Sequence, residues 1–407
     1  MIRHMKPSPP TFVVLIATLT VQALVSMCLL TLPVVGPKVA QAIDSTPAYL
    51  GFYVAIAYIS AMAASLLSGG AVKRFGAIRC SQAGVLLCAA GLALSSLATL
   101  WAVAAGALLI GLGYGPITPA SSHLLAQSTP AHRMSFVFSL KQTGVPLGGA
   151  LAGAIIPGLS NWAGWQAAFL LVAGCAVVCA LAIQPLCASL DADRDPRRKL
   201  SFAGGLAAPL KLVFSHRSLT ILAGVSFLFS ISQLSLTTYL VTFLFEDLSI
   251  SLVAAGVMLA ASQAAGVAGR LAWGFLADRY LGSTRMMALL ALIIALCAAL
   301  MPFLETLGST ALIWATLALF GGCAIGWNGV YLAEVARQAP KGQASMATAG
   351  TLAMTFLGVA VGPPLFGLIA SIFNSYGVAY GALAVPALAC LWLLLCNRNA
   401  FTVKQAR

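Results

Sequence analysis

At 407 residues, 60% hydrophobic and 8% charged, the chain lies far from the roughly 25% charged composition of soluble domains. Its net charge of +13 does not mark a nucleic-acid binder, because the basic residues are scattered over short loops and form no stripe. The ten cysteines form no CxxC pair and do not cluster with the four histidines, so no metal, cofactor or disulfide framework is expected.

The class this leaves is an all-α polytopic membrane protein. Apolar windows of about 20 residues fall near 12–35, 48–72, 78–98, 101–126, 134–157 and 163–187. Six more follow near 219–245, 250–276, 285–304, 309–335, 344–372 and 376–396. The first is too long for the apolar region of a signal peptide and reads as a retained span.

The positive-inside rule tests this count. With a cytoplasmic N-terminus, the inner segments hold Arg3 and Lys6, then Lys73, Arg74 and Arg79, then Arg133 and the Arg194 to Arg217 group. They also hold Arg279 and Arg285, Arg337 and Lys341, and finally Arg398, Lys404 and Arg407. The outer loops hold Lys38 with the acidic Asp44, Glu246, Asp247 and Glu305. An error of one span would scramble this alternation. Both termini are therefore expected in the cytoplasm, with a bacterial-type inner membrane as the setting and the lipid bilayer as the surround.

The longest polar segment, Ala188 to Ser218, separates spans six and seven and reads as a solvated cytoplasmic linker. The expected organisation is a six-helix bundle over 1–187, the linker over 188–218 and a second six-helix bundle over 219–407. The halves are pseudo-symmetric. Gln127-Ser128-Thr129-Pro130 precedes span five as Gln338-Ala339-Pro340 precedes span eleven, and a glycine-rich stretch follows in each. Parallel repeats of this kind place a binding site near the bilayer midplane.

The loop after span eight reads Gly269-Arg270-Leu271-Ala272-Trp273-Gly274-Phe275-Leu276-Ala277-Asp278-Arg279. It resembles the G-x-L-a-D-R signature of the major facilitator superfamily, matched at Gly274, Leu276, Asp278 and Arg279. The loop after span two keeps Gly69, Arg74 and Gly76 but carries Lys73 where that family usually has aspartate. With twelve spans and a central linker, the resemblance covers essentially the whole chain. It implies alternating access, with Gly69, Lys73, Arg74, Gly274, Asp278 and Arg279 as the gating motif. Because Lys73 cannot make the usual acidic contact, control of the first half's gate falls to other residues. Proton-coupled drug exporters of the superfamily carry an arginine four residues before a Gly-x-Gly in span four. Here Gly111-Leu112-Gly113 is preceded by Ala107, which weakens the alternative of a proton-coupled drug or metabolite exporter.

Two cations lie deep. Lys141 is about seven residues beyond the expected start of span five near Met134, and Arg270 eight residues before Asp278, so they reach roughly 10 and 12 Å at 1.5 Å per residue. No acid lies as deep. Arginine offers a planar fork for a carboxylate and lysine a mobile point charge. Snorkelling to the cytoplasmic surface is the plain alternative for both. Arg270 resembles the span-eight arginine of the monocarboxylate and oxalate–formate carriers, which binds substrate carboxylate. Lys141 has no such match, and in the repeat Thr351 stands roughly at its place. Gln142, the glycines beyond it and Pro146 predict an irregular span five, tolerated where backbone lines a cavity.

Tyr53, Gln233 and Asn328 are further candidate substrate contacts. Gln22, Tyr58, His123 and Tyr239 read more simply as helix–helix hydrogen bonds, and Glu334 near Arg337 as an ion pair. The expected function is secondary active transport of a small anionic substrate, a mono- or dicarboxylate held between Lys141 and Arg270, by a monomer. Protons are a candidate coupling ion. A membrane enzyme would want clustered acids and histidines in the spans, and a sensor an output domain; the sequence offers neither.

Overall fold

The computed structural model describes residues 11–130, 137, 140–197, 207–340 and 343–402. The expected start of span five near Met134, and Arg3, Lys6, Arg133, Lys341, Lys404 and Arg407, lie outside the described residues.

Among the described residues, twelve helices are long and apolar enough to cross a membrane. They are Thr11–Val34, Pro47–Ser65, Ala77–Ser95, Leu100–Ser128, Leu140–Ala163, Trp165–Leu190, Arg217–Glu246, Leu252–Leu281, Ser283–Leu307, Thr310–Gln338, Met346–Phe373 and Tyr376–Cys396, here called spans one to twelve. A helix satisfies its own backbone, which is why hydrocarbon selects it. Its first N–H groups remain to be satisfied. At spans four, eight, ten and twelve a Ser or Thr supplies the acceptor: Thr99 for Ala102, Ser251 for Ala254, Ser309 for Leu312 and Ser375 for Val378.

Spans four and ten, which correspond in the repeat, are both broken near the middle. Span four divides into Leu100–Tyr114 and Ile117–Ser128 around Gly115 and Pro116. Span ten divides into Thr310–Ala324 and Asn328–Gln338 around Ile325, Gly326 and Trp327. Span five is interrupted at Thr143, before the helix Gly144–Ala163. Pro146 has no N–H, so the Gln142 carbonyl loses its usual intrahelical donor. The expected irregularity therefore has a direct backbone cause.

The chain forms two compact units. The first comprises Met1–Leu32, Ile56–Ala152 and Leu159–Ala203; the second comprises Pro33–Ala55, Gly153–Gly158 and Gly204–Arg407. In the first unit spans two and four approach so closely that a Cβ on Gly111 would run into Ser60 Oγ and the Ala57 carbonyl. In the second unit, the start of span two is tied to span seven. Tyr239 Oη donates to the Ala48 carbonyl at 2.8 Å and its ring stacks on Phe366. Asp247, just past span seven, accepts from Gly377 N at 2.8 Å and from Ser375 Oγ at 3.3 Å. Burial pushes its carboxyl up, against these hydrogen bonds.

The linker is not the simple solvated tether that its composition suggests. Span three opens at Gly76, whose φ of 102° suits glycine and whose residue supplies no side-chain cap. The buried Asp191 carboxylate fills that role, accepting from Ile78 N at 2.8 Å and Arg79 N at 3.1 Å. Burial pushes this carboxyl up, opposed by the two backbone N–H groups. Asp193 pairs with His123 at 2.7 Å, and Asp195 N donates to the Lys73 carbonyl at 2.8 Å. Helix ends demand acceptors, and the first residues of the linker provide them. This chain's acid beside the span two–three loop is thus Asp191, sequence-distant from Lys73.

Replacing Asp191 by Ala removes a two-pronged cap and is expected to cost about 1 kcal/mol. Thermal melting of the purified protein in detergent should show a drop for Asp191→Ala and none for Asp195→Ala, whose tie to Lys73 runs through backbone. Equal melting of wild type and Asp191→Ala would count against the cap.

Candidate functional site

In the first unit, Lys141 is 1% exposed. It does not snorkel. Its Nζ donates to Gln22 Oε1 on span one at 2.9 Å, to Gln142 Oε1 at 3.3 Å and to Thr118 Oγ1 on span four at 3.4 Å. Thr118 Oγ1 also donates to Gln22 Oε1 at 3.2 Å. All three partners are neutral oxygens, so the ammonium is hydrogen-bonded but its charge is not compensated. Such a charge in a low-dielectric interior gains strongly from an anion beside it. The amide of Gln22 adds a second donor: Nε2 is buried with no hydrogen-bond partner among the described residues. Thr118 lies just past the break in span four, which brings its hydroxyl to this point.

The second unit contains a related cluster built from the corresponding spans. Gln233 Oε1 on span seven accepts from Trp327 Nε1 at 2.9 Å and from Asn328 Nδ2 at 3.3 Å, both at the break in span ten. Trp327 stacks on Phe229 at 5.1 Å between ring centroids and meets Tyr331 edge-on. In each unit, then, a glutamine from the first span reaches the broken fourth span. Where the first unit adds Lys141, the second has Thr351, buried and neutral, whose carbonyl accepts from Ser226 Oγ at 3.4 Å.

Arg270 belongs to this second frame. Its Nε donates to the Ile325 carbonyl at 3.1 Å, inside the break of span ten, while Trp273 Nε1 donates to the Gly322 carbonyl at 2.7 Å. Part of the guanidinium thus closes a backbone break, a role that family spacing did not suggest. Tyr53 is buried on span two within the same unit. The first unit holds Lys141, and the second holds Arg270, Gln233, Asn328 and Tyr53.

The residues expected to form the gating motif divide by environment. Arg74 lies over the Phe75 ring at 5.3 Å, and the Lys73 carbonyl receives Asp195 N. Gly69 lies in the same span-two helix, Leu50–Phe75. Asp278 and Arg279 are exposed in a short π-turn, Ala277–Leu281. A Cβ on Gly274 would meet nothing within 4 Å. Close helix approach occurs earlier in the same span, where a Cβ on Gly269 would run into the Gly322 carbonyl. His123 is taken up by Asp193, Tyr239 by Ala48, and Glu334 pairs with Arg337 at 2.9 Å.

Sequence alone does not mark Thr118, Trp327 or the unpartnered donor of Gln22 as members of these clusters. The usable signal was the position of Gln22 and Gln233 at matching places in spans one and seven. Among the described residues no group of three or more His, Cys, Asp or Glu could hold a metal ion.

Residues 14–350 match the Major Facilitator Superfamily. No curated protein sequence matches the chain directly. Among solved structures, a bacterial homolog of the human lysosomal transporter Spinster, inward-facing and unoccupied, superposes with a TM-score of 0.76 at 14% identity, covering 97% of each chain. A nucleoside transporter, NupG, gives 0.75 at 15% identity over 94% of this chain and 99% of its own. A D-xylose–proton symporter gives 0.71 at 18% identity over 94% and 96%. At such identities these likenesses speak to the fold alone. With the family match spanning most of its length, this twelve-span chain belongs to the Major Facilitator Superfamily and is a secondary active transporter.

Proposed function

We propose that the transported substrate is a small organic anion, a mono- or dicarboxylate, recognised through Lys141. The observation that carries this reading is a fully buried ammonium whose partners are all neutral, beside a buried amide donor that lacks one. A carboxylate meeting Lys141 Nζ and Gln22 Nε2 would neutralise the one and satisfy the other. Arg270 is proposed as the carboxylate contact of the second unit, with Gln233, Asn328 and Tyr53 as its polar surroundings. The motif residues Gly69, Lys73, Arg74, Gly274, Asp278 and Arg279 are proposed to govern alternating access.

The setting proposed is a bacterial-type inner membrane with both termini cytoplasmic, which the alternation of basic loops supports. A monomer with protons as a candidate coupling ion completes the reading. A second reading is a neutral polar substrate such as a sugar or nucleoside. The Gln233, Asn328 and Trp327 cluster favours it, since amides flanked by stacked aromatics suit an uncharged hydroxylated ring.

Uptake of labelled carboxylates into proteoliposomes should fall roughly thirtyfold or more in Lys141→Gln and in Arg270→Gln, the scale for losing one partner of a buried charged contact. Size-exclusion profiles should stay monodisperse. Wild-type rates in both variants would sink the anion reading. A sharper comparison is Gln22→Glu, which keeps size and shape but sets an acid against Lys141. Carboxylate uptake should collapse in Gln22→Glu. Retained carboxylate uptake would overturn Lys141 as the anion contact, and uptake of sugars or nucleosides by the wild type would favour the second reading.

A further inference from the structure

The second unit contains a cleft of about 710 Å³ at its arginine-rich end, between spans nine, ten and twelve. Arg285, Arg337 and Arg398 line it, with Glu334 as its one acid. That acid is already spent. Glu334 Oε2 pairs with Arg337 at 2.9 Å and Oε1 accepts from Gln338 Nε2 at 2.9 Å. Arg337 also donates to Ser283 Oγ, which places its guanidinium over the start of span nine. Span nine itself opens at Gly282 with no side-chain cap. Among the described residues nothing engages the guanidinium groups of Arg285 or Arg398, and both residues are exposed. Two arginines and an uncapped helix start therefore face one cleft with no acid left to answer them.

The other wall is apolar. Leu281, Ala288, Leu394, Leu395 and Phe401 form it, and Thr284 beside Arg285 adds one hydroxyl to the lining. The same spans continue outward with exposed Leu289, Leu292 and Trp392, a surface suited to acyl chains. A soluble anion would use the arginines and leave this wall unused. The chain's own terminal residues, 403–407, bring Lys404 and Arg407, and like charges make them poor occupants.

We propose that this cleft binds the headgroup of an anionic phospholipid, with phosphate at Arg285 and Arg398 and the acyl chains along spans nine and twelve. Basic pockets between spans at the cytoplasmic surface are suited to such headgroups. The positive-inside pattern puts this end of the unit at that surface. The inference stands apart from the identity of the transported substrate, since none of these residues is among the proposed substrate contacts.

The test is native mass spectrometry of the full-length protein in neutral detergent, titrated with phosphatidylglycerol, phosphatidylcholine or glycerol phosphate. Wild type should retain one tightly held phosphatidylglycerol, with phosphatidylcholine weaker and glycerol phosphate weaker still. Arg285→Gln/Arg398→Gln should bind phosphatidylglycerol roughly thirtyfold more weakly, from about a factor of five per arginine near an anionic surface. Arg285→Lys/Arg398→Lys should keep most of the binding, and Lys211→Gln, a surface charge outside the cleft, all of it. Equal phosphatidylglycerol affinity in wild type and the double Gln variant would overturn the proposal. So would glycerol phosphate binding as tightly as the lipid, which would mark a soluble-anion site instead. If the double Gln variant does not fold, single Arg285→Gln and Arg398→Gln variants decide by the same comparison.

Discussion

Hydrocarbon offers no hydrogen-bond partner, and this one constraint orders the molecule. Regular helices meet it without help. Wherever a span departs from regular geometry, another side chain must answer for the backbone it releases. Arg270 and Trp273 do this for the broken span ten through the Ile325 and Gly322 carbonyls. At the water-facing ends the same demand recruits Asp191 to cap span three from a residue more than a hundred positions away. Lys141 is the extreme case, since a full charge has to be solvated by three neutral oxygens from spans one, four and five. Breaks, caps and candidate contacts are therefore not separate features. They are the places where the constraint was met by side chains instead of by the helix.

The repeat supplies a frame and leaves the charge free to differ. Both units place a glutamine of the first span against the broken fourth span, Gln22 with Thr118 and Gln233 with Trp327 and Asn328. The first frame then receives Lys141 and the second a buried threonine. The second unit's cation comes from span eight instead, and works partly on backbone. The two cations accordingly sit in unlike environments, a point charge with amide and hydroxyl neighbours in one unit and a guanidinium that meets a backbone carbonyl in the other.

Much of this was legible in the residues. Apolar length and the alternation of basic loops located all twelve spans, because both follow from the cost of burying charge and depend little on packing. The irregularity of span five was legible in Pro146, whose missing N–H has a fixed backbone effect. What could not be read was which polar groups meet across spans. Gln22, Thr118 and Lys141 are separated by 96 and 23 positions in their hydrogen bonds, and no local pattern encodes such meetings. The linker misled for a related reason. An Asp-rich stretch has the composition of a solvated tether, and only the three-dimensional position of the span-three start turns Asp191 into a cap. Gly274 shows the reverse: a glycine in a family motif suggests close packing, yet the close approach belongs to Gly269.

The interruption at Thr143 has a mechanical consequence. A helix with a continuous hydrogen-bond ladder resists bending along its whole length, and removing one rung concentrates compliance at that point. In span five the missing rung falls directly after Lys141 and Gln142. Lys141 is thus placed next to a point at which span five yields to bending. The charge that the first unit leaves uncompensated is carried beside a break in the span-five ladder.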